Sequence, residues 1–322
     1  MRIFPNYFNI DTIFDPHLNR PIKRLVVMLP GAGCAWAKLK HGGCNMCGFK
    51  YETDKYSHGI KLPSIVFLLL FLGALFITRG KKPELISIFN GGSFFNDEEI
   101  PFRFQLNIFR YINYFDHIKQ VLIESRPEFI SDHKMKSINK LTNKEIIVGI
   151  GLECFSDHIR EKCINKGFTF EDYKIALSVL KDNNVKVLTY LFIKPLFLTE
   201  KQAIIESILS AEKVFYAGSD YVVFNAGTVH CNTLMDKYHK RNEYSPPKLW
   251  TIMEILRATY NLGAIRIGDF NDAPMPISSP SNCSKCNSEF TKMFMHFKEN
   301  HNINIFNSAE CECRKSWLEM VR

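Results

Sequence analysis

Nothing in the 322-residue sequence reaches the roughly 20 uninterrupted apolar residues that cross a bilayer. The longest apolar run, SIVFLLLFLGALFIT from Ser64 to Thr78, reads as a buried helix of a large core and not as a membrane span. There is no internal repeat and no low-complexity linker, which leaves one large domain with a small appendage as the expected organisation. An Arg- or Lys-led apolar leader is also missing, because MRIFPNYFNIDTIFDP mixes Pro, Asn and Asp into the stretch that would have to be apolar. The expected location is a reducing cytoplasm. Ten cysteines are too sparse over this length for a secreted disulfide scaffold, yet too many to be incidental, so their grouping carries the reading. A formal charge of +8 would draw a polyanion such as RNA, although many enzymes without a nucleic-acid partner are equally basic.

Apolar, β-branched runs of strand length recur at 24–29, 84–89, 120–125, 145–150, 185–192 and 220–225, with helical stretches such as EDYKIALSVLKDNN between them. Runs that are apolar on successive positions are what parallel strands covered by helices require. The predicted class is α/β, a partial or open (β/α) barrel. Loops converge on ligands at the carboxyl ends of such strands. Cys34 follows the first run, Gly91-Gly92-Ser93 the second, Glu124-Ser125-Arg126-Pro127 ends the third, and Gly151-Leu152-Glu153 ends the fourth. Several Pro and Ser in DAPMPISSPSNCSKC mark a boundary between a core domain, 1–273, and a small Cys-rich segment, 274–322.

In GAGCAWAKLKHGGCNMCGF, Cys34, Cys44 and Cys47 stand on one glycine-rich loop. Three is the informative count. A structural zinc site wants four closed ligands, whereas a four-iron four-sulfur cluster on three thiolates keeps one iron open. S-adenosylmethionine can chelate that iron, and an electron from the cluster then releases a 5′-deoxyadenosyl radical. The alternatives at this point are a zinc knuckle with His41 as fourth ligand, or three unrelated thiols.

The blocks GGCNMCGF, IFNGGSFFNDEEIP, VLIESRPEFI, VGIGLECFSDHIREKCINKGFTFEDY, YLFIKPLFLTEKQAI and SPPKLWTIMEIL, ahead of NCSKC and CEC, span nearly the whole chain. In this order they resemble the radical SAM enzymes related to the elongator catalytic subunit, and most of all the radical SAM subunits of archaeosine synthase. The resemblance implies a barrel of the radical SAM type with Cys34, Cys44 and Cys47 as cluster ligands. It implies Met46 at the adenine, Gly91, Gly92 and Ser93 at the cofactor's amino group, and Glu124, Arg126 and Glu153 around its ribose and carboxylate. An internal ion pair is the competing role for each of those three polar residues. Lys194-Pro195 either shapes the far wall or only turns the chain. In one departure, Ser64–Thr78 is almost wholly apolar where the family has a more amphipathic helix, so its cover is a core or another subunit.

Cys283-x-x-Cys286 and Cys311-x-Cys313 fit a closed zinc site, and a second cluster would use the same four ligands. Cys154, Cys163 and Cys231 have no partner at ligand spacing and are expected in the core. The resemblance further implies a tRNA substrate whose 7-deazaguanine already carries lysine, cleaved at the lysine C–N bond to leave archaeosine. It implies a separate lysine-transferring archaeosine synthase subunit, since no span here is left for that activity, and an electron donor. No residue is assigned to hydrogen abstraction. The competing functions are a methylthiotransferase-like or elongator-like radical SAM modifier of another tRNA position, and a zinc-stabilised RNA-binding protein.

Overall fold

Six of the strands lie where the apolar runs place them. In a computed structural model that describes residues 7–29, 31, 33–49, 64–271 and 274–322, these are β2 (Arg20–Met28), β3 (Leu85–Phe89), β4 (Gln120–Glu124), β5 (Glu145–Glu153), β6 (Lys186–Ile193) and β7 (Tyr221–Ala226). Two more were not legible as runs. β1 (Phe8–Asp15) alternates polar and apolar residues and pairs antiparallel with β2 through a tight turn, and β8 (Ala264–Ile267) has only four residues. The eight strands form one sheet in sequence order, parallel from β2 to β8. It is a half-barrel.

Alternation along each strand sorts the side chains between two layers. Leu25, Ile86, Ile123, Val148, Val187 and Phe224 point outward into the main core, under helices that include α1 (Ser64–Thr78), α2 (Phe102–Ile112), α3 (Asp132–Asn139), α4 (Phe170–Asp182) and α5 (Glu200–Ala217). Ile22, Leu85, Leu122, Ile147, Leu188 and Tyr221 point inward and seal the barrel floor. Both α4 and α5 begin in a capping box, Thr169 with Asp172 and Thr199 with Gln202, which satisfies backbone N–H groups just where each chain leaves the loop. The loops between β strands and these helices therefore end at defined points on the barrel mouth.

α1 is buried along Phe67, Phe71, Ala74 and Leu75, while Ile65, Leu69, Phe76 and Ile77 are exposed. Among the described residues no helix is long and apolar enough to cross a membrane. α6 (Leu234–Lys240) and α7 (Leu249–Thr259) follow β7, and the segment from 274 onward adds α8 (Asn287–Asn300) and α9 (Arg314–Val321). α8 packs across β1, β2 and β8 and sends Phe290, Phe294 and Phe297 into the main core. His301 behind it stacks on Phe14 of β1 at 5.4 Å and hydrogen-bonds the Ile265 carbonyl of β8 at 2.8 Å. The tail thus clasps both edges of the sheet. Phe294→Ala is expected to lower unfolding free energy by about 3–5 kcal/mol, the range for truncating a buried phenylalanine, as read from urea denaturation.

Candidate active site

The loop carrying Cys34, Cys44 and Cys47 lies across the carboxyl ends of the parallel strands, and it has no core of its own. Hydrogen bonds to the turn after β5 hold it. Trp36 Nε1 donates to the Asn165 carbonyl at 2.9 Å, Asn165 Nδ2 donates to the carbonyls of Gly43 and His41, and Asn45 bonds the backbone at Cys163 and Ile164. Asn165 reaches the loop from a left-handed conformation at φ 58°, which asparagine tolerates. Met46 wedges between two apolar clusters, one with Phe192, Leu196 and Val229, the other with Cys154, Cys163 and Ile164. Cys154 and Cys163 are core residues as expected, but Cys231 is exposed, because it lies in the loop before α6 and not under it.

Burial pushes the Cys44 thiol up to about 12 against the pull of the Lys166 ammonium, and Cys47, Glu153 and Cys34 raise it further. These groups form one electrostatic neighbourhood. Yet among the described residues the three sulfurs belong to no set of ligands converging on a single ion; the sole set that does is at the C-terminus.

Glu99, which sequence reasoning passed over, organises the opposite side. Its carboxylate is buried and accepts from Asn90 Nδ2 at 3.1 Å, Ser93 N–H at 2.7 Å, Asn96 Nδ2 at 3.0 Å and Ala35 N–H at 3.0 Å. One side chain therefore ties the Gly91-Gly92-Ser93 turn to the residue after Cys34. A Cβ on Gly92 would collide with that carboxylate and touch Cys34 Cα at 3.1 Å, and Gly91 is left-handed at φ 65°. Glycine is required at both for these reasons.

On the inner wall, the register slips between Gly151 and Glu153, and Glu153 takes φ 72°. This bulge aims its carboxylate at Lys166, with Nζ 2.7 Å from Oε1 and both groups nearly buried. Burial opposes the charge on Lys166, but Glu153 and Cys44 outweigh it and raise its pKa. Lys166 was the second residue missed. Glu124 faces the interior beside Tyr190, and burial raises its pKa against the Tyr190 hydrogen bond. Arg126 is engaged within the protein. It pairs with Glu128, donates to the Lys166 carbonyl at 2.8 Å, and lies 5.2 Å from the Trp36 and Phe168 rings. Lys194 turns away from the mouth to Glu200, 2.6 Å distant and itself bonded to Thr251 on α7. Pro195 follows in the turn.

The C-terminal thiols converge. Cys283 Sγ lies 3.5 Å from Cys286 and 3.6 Å from Cys311, Cys286 lies 3.7 Å from Cys313, and all four sulfurs fall within 4.8 Å of one another.

With this geometry in view, the comparisons are decisive for family. The chain is 33% identical over 93% of its length to archaeosine synthase subunit beta of Methanosarcina acetivorans, covering 85% of that protein. It belongs to the archaeosine synthase subunit beta family. It is also 36% identical over 92% of its length to an uncharacterised protein of Methanocaldococcus jannaschii, 81% of which is covered. No protein-family model matches the sequence. Among solved structures, archaeal Elp3 from Methanocaldococcus infernus superimposes with a TM-score of 0.53 at 16% identity, over 73% of this chain and 61% of that one. The half-barrel of this family member accordingly shares its fold with that protein.

The Glu99 network yields a test within this fold. Glu99→Gln turns an amide N–H toward one of two donor pairs, and a buried bond left unmade costs about 1–3 kcal/mol. Hydrogen exchange at the Ala35 and Ser93 amides should accelerate well beyond that of the β3 amides.

Proposed function

We propose that this chain is the radical SAM subunit of an archaeosine synthase, acting on a tRNA whose 7-deazaguanine carries lysine and cleaving the lysine C–N bond. The observation that carries the reading is the three-thiol loop, tied through Glu99 to the glycine turn and set beside the Lys166–Glu153 pair. The relatives' description as subunit beta supports a partner subunit, in this reading the one that attaches lysine.

Cys34, Cys44 and Cys47 would hold a four-iron four-sulfur cluster with S-adenosylmethionine on its open iron. Once bound, and given an electron from a donor, this group supplies a radical able to remove hydrogen from an unactivated carbon. The chain's own residues prepare the place. Lys166 sets a positive charge beside Cys44, where three thiolates would otherwise crowd negative charge in a buried site. The Gly91-Gly92-Ser93 turn exposes backbone without side-chain bulk, and Met46, Glu124, Arg126 and Glu153 line or brace the ground between turn and loop. Glu153 presents a carboxylate suited to an ammonium or a sugar hydroxyl. Removal of a hydrogen atom and one further electron from the carbon beside the nitrogen, both taken up by the bound group, would turn that C–N bond into a C=N bond, which water hydrolyses to an aldehyde on the lysine fragment and a conjugated amidine on the base.

In the same reading Cys283, Cys286, Cys311 and Cys313 hold zinc and not a second cluster. A tetrahedron with Zn–S near 2.3 Å has edges of about 3.8 Å, which the observed 3.5, 3.6 and 3.7 Å separations approach. A cubane spreads its four thiolates over four irons and would hold them wider. Hydrogen bonds from the Cys286 backbone and thiol hold the Cys283 thiol down to about 6, so one ligand is readily deprotonated.

The function is tested in cells that rely on this chain for archaeosine. Replacing it with Cys44→Ala should leave a lysine-bearing deazaguanine in tRNA hydrolysates examined by mass spectrometry, and normal archaeosine would refute the role of the triplet. Purified Cys283→Ser/Cys286→Ser should lose one zinc per chain by elemental analysis, with iron unchanged after anaerobic reconstitution. Halved iron and no zinc in the wild type would assign a second cluster instead.

A further inference from the structure

The inward residues change character one step above the barrel floor. Two positions beyond the apolar layer stand Arg24 after Ile22, Ser87 after Leu85, Glu124 after Leu122, Tyr190 after Leu188 and Arg266 after Ala264. Most of the charges in this layer are matched: Arg24 Nε donates to Asp11 Oδ1 at 2.9 Å, and Glu124 bonds the Tyr190 hydroxyl.

Arg266 is different. Its Nη2 lies 3.6 Å from Asp15 Oδ2, beyond hydrogen-bond distance, and its buried Nε has no partner. Asp15 Oδ1 accepts the N–H groups of His17 and Leu18 and fixes the β1–β2 turn, while Oδ2, also without a hydrogen-bond partner, faces Arg266 across that gap as its ion-pair partner. The guanidinium lies 4.9 Å from the Tyr221 ring centroid, whose hydroxyl is likewise without a partner. An arginine keeps its charge when buried, and leaving its donors unmade is costly. Tyr190 and Val223 on the neighbouring strands keep some exposure, and the Arg266 side chain is 17% exposed.

We propose that Arg266 binds the carboxylate at the end of the substrate's lysine arm. The inference rests on the function proposed above and names which part of the substrate reaches furthest into the barrel. A base turned out of an RNA stack enters ahead of its backbone, so the phosphates stay on the protein surface. The arm attached to that base extends deeper still. Whichever nitrogen joins lysine to the base, its carboxylate remains free and needs a cation near the floor. The other inward cations are committed, Arg24 to Asp11 and Lys166 to Glu153 at the cysteine loop. A guanidinium with two donor edges suits a carboxylate better than an ammonium would.

The test compares two RNA hairpins, one bearing the lysine-adducted deazaguanine and one bearing its lysinamide counterpart, in which the carboxylate is a neutral carboxamide. The wild-type enzyme should process the lysinamide hairpin with kcat/KM lowered about tenfold to a hundredfold, the size of a lost charged hydrogen bond. Arg266→Gln should be slowed similarly on the lysine hairpin and should no longer distinguish the two, while Arg266→Lys should retain part of the preference. The wild-type comparison does not depend on any variant folding. Equal processing of both hairpins by the wild type overturns the assignment of Arg266 and leaves the proposed reaction standing. Failure on both, by protein that still cleaves S-adenosylmethionine without RNA, overturns the reaction itself and the assignment with it.

Discussion

The Glu99 carboxylate is the contact on which the barrel mouth depends. It is buried, and its four donors come from two loops that share no β-strand pairing: the segment after β2 and the turn after β3. A buried carboxylate is stable only when its lone pairs are filled, so the network holds as a unit or not at all. The chain of ties continues around the rim. Ser93 Oγ accepts from the Arg126 N–H after β4, Arg126 donates to the Lys166 carbonyl after β5, and Asn165 returns to the cysteine loop. Loops without apolar cores of their own are thereby held to one geometry.

Charge is distributed with the same economy. Near the cysteines, one buried lysine faces the Glu153 carboxylate and the Cys44 thiol, so positive charge sits beside the cysteine loop. Deep in the barrel Arg24 is satisfied by Asp11, while Asp15 approaches Arg266 only to 3.6 Å. The apolar floor beneath keeps solvent from entering from below, and this strengthens each of these interactions.

The Cys-rich tail is part of the same body. A segment of its size buries too little apolar surface to fold alone, and its phenylalanines instead complete the main core while His301 bridges β1 and β8. Trp250 of α7 connects the two parts, stacking edge-on against Phe290 at 4.5 Å and lying 3.4 Å from Cys313 Sγ through its indole N–H. A metal on the four thiols would tighten a junction that packing has already formed.

The sequence by itself determined the α/β class, six of the strands, the cysteine triplet and the C-terminal pairs, because each is written locally in apolar runs or ligand spacing. It also carried the family blocks, which the relatives bear out. Only the tertiary structure decided the importance of Glu99, Lys166 and Arg266. Each is a single charged residue in a chain rich in them, and its role depends on which backbone amides, carboxylates or rings other strands bring beside it. β1 and β8 were hidden for a related reason: one alternates with polar residues and the other is four residues long, so pairing with a neighbour and not intrinsic pattern makes them strands. Cys231 was misplaced because burial is a property of the surrounding fold, which spacing along the chain does not encode. Where a residue's meaning lies in long-range contacts, folding itself supplies the information.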